Sequence, residues 1–286
     1  MRASRVCGVA LLSWVAIVHP AAATAGWAPP VPAFQGGTEL HATADHLEGD
    51  FLHHHLLLVG NVILVDGTQE IHAARLDVTL DAAGKRLQTL DAQGQVHLIY
   101  GPYTAVADHA RFDTAAGHAH LDGGARIWGE GREMTGATID LDLRHKAVAI
   151  AQGRVLLPAH GDLPALRVVA DKITADDASG RAELTGAVEV TAGTRRLTAR
   201  HAVVELDPGT GSVRRMDADG DLRVSDGDRH GRADRGTYNL AKGSLVLEGH
   251  ADLTEGNNRL LGDRIRVNLT TRQVEVERGT IHYRQD

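Results

Sequence analysis

The stretch from Arg232 to Gly279, RADRGTYNLAKGSLVLEGHADLTEGNNRLLGDRIRVNLTTRQVEVERG, states one pattern twice. In each copy a small residue, Ala233 or Gly262, is followed by Asp234 or Asp263. Apolar residues then alternate with polar ones: Tyr238 and Leu240 in the first copy, Ile265, Val267 and Leu269 in the second. A polar turn follows at Lys242-Gly243 and at Thr271-Arg272. A second alternation, Leu245/Leu247 or Val274/Val276, ends at Gly249 or Gly279. Runs this short, alternating at period two and rich in β-formers, read as strands with one buried face and not as helices.

The same signal extends through most of the chain. The small residue recurs at Ala44, Ala73, Ala107, Gly136, Ala170, Ala199, Ala233 and Gly262. Successive differences are 29, 34, 29, 34, 29, 34 and 29, so units of two lengths alternate and a pair spans 63 residues. Such self-similarity marks a repeat architecture. Positions three, five and seven after the small residue are mostly apolar: Leu76/Val78/Leu80, Ile139/Leu141/Leu143, Ala202/Val204/Leu206 and Ile265/Val267/Leu269. Ala110/Phe112/Thr114 and Ile173/Ala175/Asp177 are weaker copies. A glycine precedes a further short alternation in each unit, at Gly60, Gly94, Gly123, Gly153, Gly186, Gly220, Gly249 and Gly279. Asp66-Gly67, Glu130-Gly131, Asp226-Gly227 and Glu255-Gly256 then supply hairpin turns, because glycine takes the positive φ that such turns need. Successive strands are therefore expected to be antiparallel neighbours.

EGNNRLLGDRIRVNL (Glu255 to Leu269), with the recurring Gly-x-Val-x-Val and Ala-Asp-x-Ala pattern, resembles the OstA-like, LptA family of lipopolysaccharide-transport proteins. The resemblance runs from about Ala44 to the C-terminus and weakens in the middle, where Leu163 to Val169 (LPALRVV) departs from the usual polar hairpin turn.

Ahead of the repeats, Met1 to Ala25 reads as a secretory signal peptide. Arg2 and Arg5 form a basic start, Val6 to Val18 an apolar run, and Ala23-Thr24-Ala25 a cleavage site. The apolar run is shorter than the roughly 20 residues that span a bilayer. Residues 26–40, with Pro29, Pro30, Pro32, Gly36 and Gly37, read as a linker. Residues 41–286 show no break in composition and are expected to form a single domain. Cys7, the only cysteine, lies in the signal segment, so disulfides and thiolate chemistry are absent from the expected mature protein. Removing residues 1–25 takes away two arginines and no acids, which leaves 28 − 37 = −9 with neutral histidines. That charge argues against nucleic acid as a partner. Aromatics at 3% supply few stacking platforms for sugars.

His53-His54-His55 contains good metal-ligand side chains, but consecutive residues of a strand point to opposite faces and do not converge on one ion. His118 and His120 share a face and have no carboxylate partner evident in the local sequence. The aspartates at 45, 108, 171, 234 and 263 fall at repeat positions, which suits an outward structural role and not a catalytic pair. No nucleophile elbow, phosphate loop or zinc-protease motif occurs. The chain is therefore expected not to be an enzyme and to need neither cofactor nor metal.

The expected fold is all-β: an elongated, twisted β-jelly roll of two antiparallel sheets, built from about eight repeats of roughly thirty residues. With about three short strands per unit, 20 to 24 strands would form a body roughly 50 to 60 Å long. The family resemblance implies a periplasmic location and transport of lipopolysaccharide between the membranes, with lipid A acyl chains shielded in an apolar groove. On that reading the inner-face residues facing lipid are Leu76, Val78, Phe112, Ile139, Leu141, Ile173, Ala202, Val204, Tyr238, Ile265 and Val267. An unprotected edge strand carrying Ile281, His282 and Tyr283 would engage LptC-like inner-membrane and LptD-like outer-membrane jelly rolls, or another copy head to tail. The alternatives are an LptC-type inner-membrane component and a right-handed β-helix binding polysaccharide at a surface.

Overall fold

The computed structural model describes residues 40–50, 52–84, 86–159, 164–206, 213–239, 242–268, 271 and 273–282. The expected signal segment, residues 26–39 of the expected linker, and Tyr283 lie outside these. Leu40–Thr43 (β1) and His46–Asp50 (β2) are followed by His55–Asp66 (β3), Gln69–Leu80 (β4), Leu87–Tyr100 (β5) and Tyr103–Asp113 (β6). Next come His118–Gly129 (β7), Arg132–Asp142 (β8), Ala147–Leu157 (β9), Leu166–Asp176 (β10), Arg181–Ala192 (β11) and Arg195–Leu206 (β12). Val213–Asp226 (β13), Arg229–Asn239 (β14), Ser244–Glu255 (β15), Asn258–Asn268 (β16), Val274–Glu277 (β17) and Thr280–His282 (β18) complete the order.

From β3 to β16 each strand pairs with its sequence neighbours, and every ladder is antiparallel. Parallel β-helix coils are thereby excluded. β1 and β2 both lie on β3, and β17 and β18 both lie on β16, so each end of the sheet carries a strand in two pieces.

The expected three short strands per unit are in fact two long ones. Of the eight glycines read from sequence as strand starts, Gly153 lies inside β9 without a slip and Gly279 lies between β17 and β18. The other six sit in the middle of continuous strands, where the ladder slips by one residue, as between Val59 and Val62 or Thr185 and Val188. These slips are β-bulges, and a bulged strand bends. The sheet therefore folds along its line of bulges, and apolar residues on both sides of the fold, such as Leu58 with Val62 and Leu90 with Val96, enter one core. The two expected sheets are the two halves of one folded sheet. Fourteen long strands plus a split strand at each end make sixteen rungs. At ~4.8 Å per rung the body is roughly 70 Å long, more than the shorter body expected from sequence.

The bulge also explains the periodic aspartates. Gly186 has φ +72°, and a Cβ there would collide with the carboxylate of Asp171 on the neighbouring strand. Asp45, Asp108 and Asp234 lie in the same way against Gly60, Gly123 and Gly249. Asp45 also donates its backbone N–H to the Gly60 carbonyl (2.8 Å) and accepts a hydrogen bond from Asn61 Nδ2 (2.9 Å). Small residue, aspartate and glycine are thus one device, spread across two strands, that shapes the bend. The expected outward structural role of these acids matches this placement.

The repeat has a longer period as well. Strands β3 to β8 begin at 55, 69, 87, 103, 118 and 132, and β11 to β16 begin at 181, 195, 213, 229, 244 and 258. Each difference is 126, two of the 63-residue pairs. Subtracting 126 from β10 gives residues 40–50, the span of β1 and β2; adding it to β9 gives 273–283, which contains β17 and β18 (274–282). The chain thus contains two equivalent halves, and β9 with β10 is the joint between them. There the ladder runs from Leu166↔Leu157 to Asp176↔Ala147 without a register slip. The apolar segment before Val169, which departs from the usual turn, enters this joint.

Candidate binding cavity and sheet edges

All eleven inner-face residues singled out from sequence are buried. All of them pack with neighbours in the core cluster as alternation requires, Ile139 for example between Leu121 and Ile150 on the flanking strands. Only Val204 and Tyr238 line an apolar cavity of about 170 Å³ between the two halves of the folded sheet. Its walls include Leu184, Val190, Leu197, Met216 and Val224, all in the second half of the chain. Two larger depressions, of about 710 and 760 Å³, are more open and are bordered by charged side chains such as Arg111, Asp140 and Arg86.

Comparison across 126 residues shows why the cavity opens in the second half. Leu64, Leu87, Leu90 and Leu98 are buried in the first half. Their counterparts are Val190, Val213, Met216 and Val224, which are only half-buried. Three leucines become valines and one becomes the flexible methionine, so volume is lost from facing positions of one core layer. Sequence alternation registers all of these as apolar and cannot see the loss. The signal that could have found it is side-chain size compared between the two halves.

At the sheet ends, β1, β2 and β18 are exposed throughout, and β17 alternates between half-buried and exposed. Ile281 is 65% exposed and Leu47 54%, which is unusual for large apolar side chains in strands. His282 is exposed beside Ile281. Among the described strands, the registered pairings of β1 and β2 are with β3 and those of β17 and β18 are with β16, which leaves their outer ladder faces open.

The outer face carries a lattice of histidines and carboxylates. His109 stands between Asp91 and Asp122, 3.0 Å from each. His120 lies 2.5 Å from Asp140 on the next strand and 3.4 Å from Asp122. His120 therefore does have partners: one is two residues away in sequence and the other is brought by strand pairing. His53 and His55 pair with different carboxylates, Asp50 and Asp77, each at 2.6 Å, so the three consecutive histidines do not converge. No group of three or more metal-ligating side chains suited to a metal ion occurs among the described residues.

Burial alone would lower the His109 pKa, but hydrogen bonds to Asp122 and Asp91 outweigh it and raise the group above its ordinary value. His201 is raised chiefly by its hydrogen bond to Asp219, with burial opposing and Glu183 assisting. A histidine raised on folding stabilises the fold fully below its unfolded value of about 6.5, and that contribution is lost as pH rises through the folded value. Thermal stability should therefore fall as pH rises from about 6 through neutrality. Melts of the double substitution His109→Gln, His201→Gln should show a flatter pH profile over that window, and an unchanged profile would refute the assignment.

Comparison with known proteins identifies this architecture. A family model described as "LptA/(LptD N-terminal domain) LPS transport protein" matches residues 41–147 and again 167–273. The chain belongs to this family. The two matches are offset by 126 residues and flank the β9–β10 joint, so each half of the chain carries one copy of the family domain. Among solved structures, the chain is similar to LptH from Pseudomonas aeruginosa, described as the LptA homologous periplasmic component of the lipopolysaccharide transport device. The identity is 16%, the match covers 42% of this chain and 86% of that one, and the TM-score is 0.37. No curated protein sequence matches the chain.

Proposed function

We propose that this protein is a periplasmic carrier that bridges the inner and outer membranes and shields the acyl chains of lipid A in the interior of its folded sheet, without catalysing a reaction. The observation that carries this reading is the apolar cavity between the sheet halves in a chain of a lipopolysaccharide-transport family. Acyl chains exposed to water carry a cost proportional to their area, and an apolar trough removes it while sugars remain outside. The signal segment expected at Met1 to Ala25 supports export to the periplasm.

Val204 and Tyr238 are the proposed first contacts. Leu76, Val78, Phe112, Ile139, Leu141, Ile173, Ala202, Ile265 and Val267 continue the same inner surface and would meet a chain where the two halves part. The exposed strands at both ends are the proposed docking edges for LptC-like and LptD-like partners and for further copies. Support for that comes from the β9–β10 joint, where the last strand of the first half of the chain already pairs with the first strand of the second half within one molecule. Residues 41–286 accordingly act as one continuous body.

Photo-crosslinking amino acids at Val204 and Tyr238 should capture lipopolysaccharide in cells, whereas the outward positions Glu205 and Arg266 should not. Equal labelling of both sets would overturn the reading.

A further inference from the structure

Tyr238 is 7% exposed, lines the cavity, and its hydroxyl has no hydrogen-bond partner. A buried hydroxyl without a partner is unfavourable, so its presence in an apolar wall needs a reason. Packing does not supply one. The counterpart 126 residues earlier is Phe112, which is 2% exposed and fills the core with the same ring and no hydroxyl.

The charged part of the cavity wall differs between the halves in the same sense. Arg195 and Arg196 line the cavity, and their counterparts in the first half are Gln69 and Glu70. Arg195 lies 3.4 Å from Asp226, and Arg196 lies 2.7 Å from Glu189. Burial raises the Tyr238 pKa, and the positive charge of Arg195 partly offsets that rise. The second half thus combines an apolar space, a donor without an acceptor, and two arginines paired with carboxylates, of which Asp226 also lines the wall. The first half has leucines, phenylalanine, glutamine and glutamate at the corresponding places.

We infer that the second half, closed at the joint by Leu157 of β9, holds the preformed acyl-chain site, and that the Tyr238 hydroxyl donates a hydrogen bond to the ester or amide carbonyl joining an acyl chain to its anionic headgroup. The chain itself enters the space left by Val190, Met216 and Val224. In the first half Leu64, Leu87, Leu90 and Leu98 fill the corresponding positions, so its inner face meets a chain only where the two layers part. This rests on the carrier reading above but adds a residue, a linkage chemistry and a division of labour between two domains of one family. Ester- or amide-linked chains occur in lipopolysaccharide and, as esters, in phospholipids, so the shared chemistry is the acyl carbonyl.

The test uses the full chain with two soluble probes below their micellar concentration: lauroyl lysophosphatidylglycerol and its ether-linked counterpart, which lacks the carbonyl. The wild-type protein should bind the ester about tenfold more tightly, the difference one hydrogen bond makes. Tyr238→Phe copies the residue at 112, so folding is preserved. It should bring the ester down to the affinity of the ether and leave the ether unchanged. The paired substitution Val190→Leu, Val224→Leu copies the first-half core, and it should abolish binding of both probes while maintaining or raising the melting temperature.

Equal wild-type affinity for the two probes, equal loss of both on Tyr238→Phe, or full binding by the leucine pair would overturn the inference. Competition separates it from the carrier reading. Displacement of the ester by lipopolysaccharide supports both. Displacement by diacyl phosphatidylglycerol and not by lipopolysaccharide leaves the Tyr238 site standing and sinks the carrier reading.

Discussion

Aspartate in place of Ile139 should unfold the strands around it. Ile139 is fully buried, faces Leu121 on one flanking strand and Ile150 on the other, and has no cation within the core cluster to pair with a carboxylate. An unpaired charge there either stays ionised at a cost of several kcal/mol or takes up a proton and still leaves a polar group unsatisfied. A loss of about 4 kcal/mol or more is expected, a large part of the 5–15 kcal/mol typical of a folded domain. Because each strand touches mainly its two neighbours, the damage should begin in β7 to β9, and hydrogen exchange should show those amides losing protection first. The neighbouring outward change Asp140→Ala removes a half-exposed pairing with His120 and should cost less than about 1 kcal/mol. Similar denaturation midpoints for the two variants would contradict the assignment of inner and outer faces.

The second large effect concerns assembly. Shifting both partners of the β9–β10 ladder by 126 residues sets the register in which β17 and β18 of one molecule should meet β1 and β2 of the next. The pair Val168↔Val155 becomes Ala42↔Ile281, and Ile173↔Ile150 becomes Leu47↔Val276. The contact places exposed apolar side chains against each other and satisfies two open ladders. Paired residues in antiparallel strands lie at Cα separations of about 4.5–5.5 Å, within reach of a disulfide.

Ala42→Cys mixed with Ile281→Cys should therefore give a crosslinked dimer under oxidation. Ala42→Cys with Val276→Cys, five residues out of register and so roughly 17 Å away, should not. Positions 42 and 281 lie at opposite ends of a body roughly 70 Å long, so the bond can form only between molecules. Ile281→Pro removes a ladder donor at the edge, and light scattering should show it reducing concentration-dependent oligomers to single chains without changing the melting temperature. A wild-type protein that stays monomeric at high concentration and forms no crosslink would refute edge pairing.

Local signals were sufficient for part of this account. Period-two alternation determines which side chains face inward, and Phe112, Ile139, Ile173 and Ile265 are buried as it requires. The Asp-Gly and Glu-Gly turns determine antiparallel neighbours, because a two-residue connection can do nothing else. The 63-residue series determines that one unit is used again and again. These properties follow from backbone geometry and polarity within a few residues.

Pairing between strands decided the rest. Gly60 and Gly186 look like strand starts until the adjacent strand shows that the chain runs on through a bulge, turning three short strands into two long ones and two sheets into one folded sheet. Asp171 acquires its role from Gly186, fifteen residues later in sequence but adjacent in the ladder. His120 gains Asp140 in the same way. The cavity depends on the summed volume of Val190, Met216, Val224 and Tyr238 on opposed strands, and whether four apolar residues close a core or leave a space is settled only when they face one another.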